Sequence, residues 1–437
     1  MTGELDDLRW TKAVDWRDLG VIFLLATSLR LVYVVCVQFM GFSQFSDALY
    51  MHQLAGSLAA GEGFTINGQR IFNQSVGYPA FIAVFYAFFG VRVEVALVLN
   101  SLLGGVSAAL VYQLACTYHS AAEGAGIAAR RFGWCVAGLA IVYPDSWMYS
   151  GLTTSENLLV PLLLGMVLVH SRRARVGDVA GRAAFSIGLI IGALAALAAL
   201  VKANMLIYCL LLPIEWMVSG RRWLLLTLGA VVAGVLLLVP WTVLNYRASG
   251  GHIIPFAAIA GTVFLDGTNP EARGKPTDLY RLDIEKDGKY SEIELNRLRF
   301  QKGLAYVKEN PAAYGRLLAL KLLHGLSPAR DYAYEYGGQF RLFIPWLSRW
   351  LPTAYNAFLL AGILVFLVLG NRQSGIWRNG FSLFASALLL QMIFMAYPRY
   401  RFPFLFVLIP NSVLGWWLIG TRFRRTLSRF ASFLTAR

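Results

Sequence analysis

The sequence predicts an all-α polytopic membrane protein, and three observations lead to that prediction. Hydrophobic residues make up 57% of the 437 residues, charged residues only 14%, and the mean hydropathy is +0.56. Such a chain is too apolar for a water-soluble globule and too long for a single anchor. The formal charge of +15 comes from Lys and Arg clusters between apolar runs. Membrane orientation and anionic headgroups explain these clusters, so no nucleic-acid partner is expected.

Ten apolar runs approach the roughly 20 residues that are needed to cross a bilayer. The predicted spans are 19–41, 94–117, 132–144, 155–170, 183–201, 205–218, 223–245, 353–370, 380–397 and 402–420. The run 78–89, between Gly77 and Gly90, is shorter, so it fits an interfacial or re-entrant helix better than an eleventh span.

The basic clusters between the runs test this count. With ten spans and a cytoplasmic N-terminus, every cluster lies on the inner side, as the positive-inside rule requires. These clusters are Arg130/Arg131, Arg172/Arg173/Arg175/Arg182, Arg221/Arg222, Arg372/Arg378 and Arg422/Arg424/Arg425. An eleventh span at 78–89 would move the first three outside. Both termini are therefore predicted to be cytoplasmic.

Two long segments, 42–93 and 246–352, are then extracytoplasmic loops. In the second loop, Ser291 and Glu294 have the spacing of a capping box, and an amphipathic helix is predicted from there to about Asn310 and Pro311. A further helix in AAYGRLLALKLLHGL is expected to lie against the membrane surface. Because there are no repeats and no independent soluble domain, residues 1–437 are interpreted as one membrane domain.

Asp47, just after the first span, is the most informative candidate for chemistry. It is the second residue of the segment SDALYMHQLAGSLAAGEGF. One apolar stripe in this segment predicts a helix that lies in the membrane interface, and the stripe consists of Tyr50, Met51, Leu54 and Leu58. An Asp at a helix start is often only a cap, but Ser46 could supply that cap. Asp47 is therefore interpreted as a reactive carboxylate.

Two more acidic residues lie in the segment YPDSWMYSGLTTSENLLVPLLL. Glu156 stands at the outer end of the fourth predicted span. Thr153 and Glu156 also have capping-box spacing, so the pattern leaves a structural and a functional role equally open. Asp145, which follows a Tyr-Pro pair, is a weaker candidate and more typical of a solvated turn.

Several basic residues are predicted to lie at the same extracytoplasmic face as Asp47 and Glu156. They are Lys202 at the outer end of the fifth span, Arg399 and Arg401 in YPRYRFPF, Arg70 in the first loop, and Lys321 and Arg330 in the second loop. Each cation alone is typical of a side chain that snorkels to headgroups. Several of them opposite two carboxylates indicate an anionic lipid-phosphate substrate.

Further candidate substrate contacts are Tyr50, His52, Tyr78, Asp145, Lys321 and Arg330. A divalent metal bound by Asp47, Glu156 or His52 stays an open alternative. A lone His beside a carboxylate is more often part of ordinary packing or hydrogen bonding, so neither a metal nor another cofactor is expected.

The segments SDALYMHQLAGSLAAGEGF and VGYPAFIAVFYAFFG resemble the first outer loop of the GT-C membrane glycosyltransferases. The likeness is to the branch of the protein O-mannosyltransferases and the lipid A aminoarabinose transferases. YPDSWMYSGLTTSENLLVPLLL resembles their second outer loop, and PRYRFPF is similar to the end of small bacterial members. The resemblance covers roughly the first 170 residues well and the last 60 loosely.

This resemblance implies transfer of a sugar from a polyprenyl-phosphate donor to an acceptor hydroxyl at the extracytoplasmic face, with inversion. By position, Asp47 would be the general base and Glu156 the second acidic residue. Lys202, Arg399 and Arg401 would contact the donor phosphate, and Arg70 is a further candidate for this contact. Some relatives carry a basic residue just before the interfacial helix, where this chain has the triplet 73–75 (Asn-Gln-Ser) and Arg70 is the nearest cation.

The resemblance leaves the acceptor open as a lipid, a glycan or a protein. We expect the bacterial inner membrane as the location, since nothing corresponds to the lumenal domain of the eukaryotic protein mannosyltransferases. A transporter or flippase of lipid-linked sugars and a non-catalytic envelope-assembly subunit are the alternatives. The pattern shows no paired broken helices and no repeat, and the second outer loop is long, so the enzyme is favoured.

Overall fold

The structure is a computed structural model that describes residues 15–41, 43–123, 127–173, 181–219, 222–276, 290–329 and 345–435. These residues form seventeen α-helices, one short 3-10 turn and one two-stranded hairpin. The predicted all-α architecture is confirmed.

Ten of these helices lie in the described part of the first half of the chain. They are α1 (Trp16–Phe39), α2 (Ser46–Ala59), α3 (Gly77–Phe89), α4 (Val93–Glu123), α5 (Ile127–Val142), α6 (Pro144–Ser150), α7 (Glu156–Arg173), α8 (Gly181–Val201), α9 (Leu206–Ser219) and α10 (Trp223–Ala248). The antiparallel strands β1 (Thr65–Ile66) and β2 (Gln69–Arg70) lie between α2 and α3, and the 3-10 turn Ala203–Met205 precedes α9.

The other seven helices lie in the described ranges of the second half. They are α11 (Ala260–Asp266), α12 (Glu292–Glu309), α13 (Pro311–Leu326), α14 (Pro345–Leu369), α15 (Gly375–Ile393), α16 (Pro398–Val407) and α17 (Ile409–Thr435).

Among the described residues, five helices are long and apolar enough to cross a membrane: α1, α4, α8, α10 and α14. The bent pair α16 and α17 makes a sixth if it is counted as one span. The other predicted spans at 132–144, 155–170, 205–218 and 380–397 are also helices, but they do not meet this test. The protein is thus an integral membrane protein, while the number of ten spans stays a prediction.

The last predicted span differs from the expectation of one straight helix over 402–420. Instead, α16 and α17 meet at an angle of 65°. Pro410 lies in the first turn of α17, where its missing N–H group cannot continue the hydrogen-bond ladder of α16. The expected single span over 402–420 is therefore broken near its start, while the described residues contain one such bent pair and not two. As a result, Arg399 lies in the first turn of a separate short helix.

Close helix packing holds α8 against α10. A Cβ atom added at Gly188, Gly192 or Gly229 would lie 2.2–2.3 Å from a backbone carbonyl oxygen of the facing helix. Gly188 and Gly192 form a small-xxx-small pattern, which allows two helix backbones to approach in a membrane. This packing fixes the helix that ends just before Lys202.

The two segments predicted to be extracytoplasmic, 42–93 and 246–352, are joined by hydrogen bonds from backbone N–H groups. Ala258 donates to the carbonyl of Phe72 at 2.6 Å. The Glu292 carboxylate accepts from the N–H groups of Phe72 at 2.7 Å and Asn73 at 3.2 Å. The predicted capping box at Ser291 is present, and α12 ends at Glu309 as expected.

Candidate functional site

One guanidinium joins the two carboxylates that the sequence singled out. Arg399 Nη1 donates to Asp47 Oδ2 at 2.6 Å, and Nη2 donates to Glu156 Oε2 at 3.1 Å. Arg399 Nε and Lys202 Nζ both donate to Glu156 Oε1. We call these four residues, Asp47, Glu156, Lys202 and Arg399, the outer charge cluster.

Four helix ends bring the cluster together. Asp47 lies in the first turn of α2, Glu156 is the first residue of α7, and Arg399 lies in the first turn of α16. Lys202 follows the last residue of α8 in an extended conformation. Residues from distant parts of the sequence meet because these helices end at one side of the bundle.

Exposure differs sharply within the cluster. The Glu156 side chain is 0% exposed, those of Arg399 and Lys202 are 14% and 16% exposed, and that of Asp47 is 49% exposed. Two carboxylates and two cations give the cluster a net charge of zero. Asp47 is its open member, while Glu156 is enclosed by the cations.

The structure does not support the capping interpretation of Asp47. The N-cap of α2 is Phe45, and no side chain caps this helix end. Ser46 supplies no cap either, and its φ of +48° lies in the left-handed region, which is strained for a residue other than glycine. The Asp47 carboxylate is therefore held by Arg399 and not by the helix start.

The capping box between Thr153 and Glu156 is not formed either. Helix α7 begins at Glu156, and the Thr153 hydroxyl lies within hydrogen-bond distance of the Ala48 carbonyl and of Gln44 Oε1. The N–H group of Thr153 also donates to Gln44 Oε1 at 3.0 Å. Thr153 thus ties the segment before α7 to the helix that carries Asp47.

Tyr400 and Asp266 are neighbours of the cluster that sequence reasoning missed. Lys202 Nζ lies 5.3 Å from the centre of the Tyr400 ring. Tyr400 is within electrostatic range of Asp47, Glu156 and Asp266. Asp266 is buried at the end of α11, where its Asp-Gly pair looks like a simple turn, so the pattern gave no signal.

The cations Arg401 and Arg70 lie against other groups. The Arg401 guanidinium donates to the carbonyls of Gly325, at 3.0 Å, and Ser327. Arg70 donates to Asn245 Oδ1 at 3.1 Å, and it lies over aromatic rings, with Trp241 nearest at 5.2 Å. Burial lowers the pKa of Arg70.

Three other candidates are buried. Tyr78 donates to Asn100 Oδ1 at 2.8 Å. Asp145, predicted as a solvated turn residue, is buried in α6 and accepts from Asn356 Nδ2 at 3.3 Å, so its expected exposure was wrong. Lys321 is also buried and donates to Thr268 Oγ1 at 3.3 Å, and burial lowers its pKa to about 8.

His52 and Tyr50 share α2 with Asp47. His52 Nδ1 lies 2.7 Å from the Tyr86 hydroxyl, and burial lowers the pKa of His52. Tyr50 packs beside Leu54, and burial, followed by the charge of Glu292, raises its pKa. Among the described residues, no three His, Cys, Asp or Glu side chains come together as a metal site. Arg330 lies outside the described residues.

Comparison with solved structures finds similar membrane folds at low identity. The oligosaccharyltransferase of Archaeoglobus fulgidus, solved with Zn and sulfate, has a TM-score of 0.51 at 14% identity; the alignment covers 95% of this chain and 50% of that one. ArnT of Cupriavidus metallidurans, bound to undecaprenyl phosphate, has a TM-score of 0.41 at 17% identity, with coverages of 90% and 77%.

The chain thus spans about half the length of the oligosaccharyltransferase. No family model and no curated protein matches the sequence. The predicted fold is nevertheless confirmed, and the chain has the GT-C-type fold of membrane glycosyltransferases.

Proposed function

We propose that this protein is a glycosyltransferase that moves a sugar from a polyprenyl-phosphate donor to an acceptor hydroxyl. The acceptor is a lipid, a glycan or a protein, and the reaction takes place at the extracytoplasmic face of the bacterial inner membrane. The observation that carries the proposal is the outer charge cluster, in which a half-exposed carboxylate and two cations meet within a GT-C-type fold.

Asp47 is the proposed general base. Its Oδ2 atom accepts from Arg399, and among the described residues Oδ1 has no hydrogen-bond donor. With 49% of the side chain exposed, Oδ1 is open to an incoming hydroxyl. Removal of the hydroxyl proton as the new bond forms typically accelerates such a reaction about a hundred- to ten-thousand-fold.

Lys202 and Arg399 are the proposed ligands of the donor phosphate. Arg399 has five N–H groups and uses three on the two carboxylates, which leaves two. Lys202 has three and uses one on Glu156, which also leaves two. Four charged N–H groups beside Asp47 can therefore stabilise a leaving phosphate, and no proton donor is required.

The proposed step is a single displacement. The acceptor oxygen bonds to the anomeric carbon from one side while the bond from that carbon to the phosphate oxygen breaks on the other, which inverts the centre. The acceptor proton moves to Asp47 Oδ1. The phosphodiester with one negative charge becomes a polyprenyl monophosphate with two, and its chain stays in the bilayer.

A flippase of lipid-linked sugars is the second candidate, because one observation favours it. The 65° break between α16 and α17 places Arg399 in a short helix of a broken span. Broken helices carry the substrate sites of many transporters, where they occur as corresponding pairs in two repeats. The described residues contain one such bent pair.

An assay with vesicles separates the two functions. The purified protein is incorporated into vesicles that contain radiolabelled undecaprenyl-phosphate sugars, and both the chemical state and the leaflet of the label are measured. The enzyme is expected to release undecaprenyl phosphate as the label moves to an acceptor. Movement of intact donor between leaflets, with no donor consumed, would support the flippase instead.

A further inference from the structure

Glu156 has a different environment from the other acidic member of the outer charge cluster. Its side chain is 0% exposed. Oε1 accepts from Arg399 and Lys202, and Oε2 accepts from Arg399 at 3.1 Å. The Ser155 hydroxyl lies 3.4 Å from Oε2. A carboxylate enclosed in this way cannot touch a sugar or take a proton from an acceptor.

We propose that Glu156 is a positioning residue. It holds the Arg399 guanidinium so that one N–H group binds the base Asp47 and others stay available for the donor phosphate. The inference rests on the proposed glycosyl transfer. It changes the role of Glu156 from a second reacting acid to a buried anchor for the two cations.

The geometry of Arg399 supports this role. Two N–H groups on one edge of its guanidinium meet both oxygens of Glu156, which fixes the plane of the group. Only Nη1 then reaches Asp47, and it contacts one oxygen. Without the Glu156 charge, the same two-pronged edge would turn to Asp47 and engage both of its oxygens. The oxygen needed for the acceptor proton would be blocked.

Lys202 is fixed by the same carboxylate. A lysine side chain has several rotatable bonds, and ordering it costs conformational entropy. The bond to Glu156 Oε1 and the nearby Tyr400 ring hold its ammonium group in place before the donor binds. A phosphate site that is already ordered binds more tightly because less entropy is lost on binding.

Arg399 connects proton uptake by Asp47 electrostatically with the growth of negative charge on the phosphate. The cluster has a net charge of zero before transfer, and it becomes +1 when Asp47 takes the acceptor proton. At that moment the phosphate changes from −1 to −2. Because a protonated Asp47 no longer competes for Nη1, the Nη1 N–H group becomes available to the leaving phosphate as its charge grows, while Glu156 keeps the guanidinium in place.

The pH dependence of this arrangement depends on every ionisable group around Arg399 and Asp47. The groups that act on this region electrostatically are Glu156, Lys202, Tyr149, Tyr400 and Asp266. Glu156 is the carboxylate that shares Arg399 with Asp47, so neutralising it alters the charge felt by the base most directly.

The test compares Glu156→Gln and Glu156→Asp with the wild type in purified protein. Three quantities are measured: the affinity for undecaprenyl phosphate, kcat and KM for the donor, and the acid limb of the kcat/KM profile. For Glu156→Gln we expect affinity to fall about 10- to 100-fold, as for loss of a charged hydrogen-bond network. The acid limb should move by about 1 pH unit or more to lower pH, since the whole Arg399 charge then acts on Asp47.

The conservative variant provides the second readout. Glu156→Asp keeps the charge but shortens the anchor, so the acid limb should stay in place while affinity for undecaprenyl phosphate falls less than in Glu156→Gln. Glu215→Gln is the matched control, because this other buried carboxylate lies away from the cluster. It should leave both the affinity and the acid limb unchanged.

The outcomes distinguish failure of the positioning role from failure of the proposed function. A folded Glu156→Gln protein with unchanged affinity and an unmoved acid limb would overturn the positioning role, as would a limb that moves to higher pH. If Glu156→Gln does not fold, an unchanged affinity in Glu156→Asp overturns it. If the wild type neither binds undecaprenyl phosphate nor consumes a donor, the proposed function itself fails.

Discussion

The helix bundle also contains a buried cluster of polar residues, and this cluster contrasts with the outer charge cluster. We call His170, Glu215, Trp216 and Ser382 the inner polar cluster. His170 Nε2 lies 2.9 Å from Glu215 Oε1, and both side chains are 4% exposed. Glu215 lies within α9, and the 3-10 turn Ala203–Met205 separates this helix from Lys202.

The inner polar cluster is closed, whereas the outer charge cluster is open. Trp216 Nε1 donates to His170 Nδ1 at 3.0 Å, so Nδ1 is an acceptor and Nε2 carries the proton toward Glu215. Ser382 donates to the other Glu215 oxygen at 3.3 Å. Asp47, by contrast, keeps half of its side chain exposed.

Ionisable groups within a membrane bundle are functional candidates by default. Both clusters contain a carboxylate that accepts from nitrogen donors, so composition alone does not separate a structural cluster from the proposed reactive one. The features that we propose to separate them are the exposure of one member and the hydrogen-bonding groups left for a substrate. We therefore expect replacements in the two clusters to have different effects on sugar transfer and on stability.

The largest effect is expected when the arginine of the outer cluster is replaced. Arg399→Gln removes the link to both Asp47 and Glu156, and kcat for sugar transfer should fall about 10²- to 10³-fold, as for loss of a preorganised donor. The control is Arg130→Gln, because Arg130 makes a two-pronged ion pair with Asp18 elsewhere in the bundle. Steady-state kinetics should show unchanged transfer in the control; equal losses in both variants would remove the distinction.

Lys321 is a buried cation for which the described residues provide no carboxylate partner. It therefore contrasts with the cations of the outer charge cluster, which are paired with carboxylates. Burial lowers its pKa from 10.5 to about 8, so the folded state binds fewer protons than the unfolded chain between these values. Stability should therefore rise with pH through this window, and the penalty below pH 8 should reach up to about 3 kcal/mol.

Replacing this lysine by Lys321→Met removes the buried charge. Thermal unfolding followed from pH 7 to pH 10 should show a higher Tm at pH 7 and a smaller rise with pH than in the wild type. Donor KM should not change. A raised donor KM with no gain in Tm would instead assign Lys321 to the substrate site.

The inner polar cluster should respond in stability and not in chemistry. Glu215→Gln replaces a carboxylate that accepts from His170 and Ser382, so the free energy of unfolding should fall by about 1–3 kcal/mol. Chemical denaturation and transfer kinetics of the same preparation measure the two effects. Loss of transfer at unchanged stability would make this cluster functional and contradict the comparison.

The smallest effect is expected at a surface feature that belongs to neither cluster. Ser291 and Glu294 form the capping box of α12, and Ser291→Ala should cost about 1 kcal/mol of stability. Denaturation curves of the variant calibrate the larger changes above. If Ser291→Ala lowered the free energy of unfolding as much as Glu215→Gln does, the inner polar cluster would contribute no more to stability than a surface helix cap.

Much of the site could be predicted from the sequence because charged residues at the ends of apolar runs are easily recognised. Asp47, Glu156, Lys202 and Arg399 were all found in this way, and the structure brings them together. Their pairing could not be predicted, since it depends on how four helix ends meet. The enclosed position of Glu156 is therefore a result of tertiary structure alone.

The two arginines of YPRYRFPF show a second limit. The sequence treated Arg399 and Arg401 as a pair in a connecting segment, but they lie in the helix α16. An α-helix turns by about 100° per residue, so side chains two residues apart point to nearly opposite sides of the helix axis. Only one of the two arginines can therefore face Asp47. Arg401 is directed at the carbonyls of Gly325 and Ser327 instead.

The most direct test of the account measures sugar transfer by wild type and Asp47→Asn under saturating donor. Asp47→Asn keeps the size of the side chain but removes the charge that accepts the proton. We expect kcat to fall by about a hundred- to ten-thousand-fold and thermal stability to stay close to wild type. Affinity for undecaprenyl phosphate should stay the same or rise, because a neutral side chain at this position competes less for Arg399 Nη1. Near-normal turnover by the folded variant would contradict the role of Asp47 as the base.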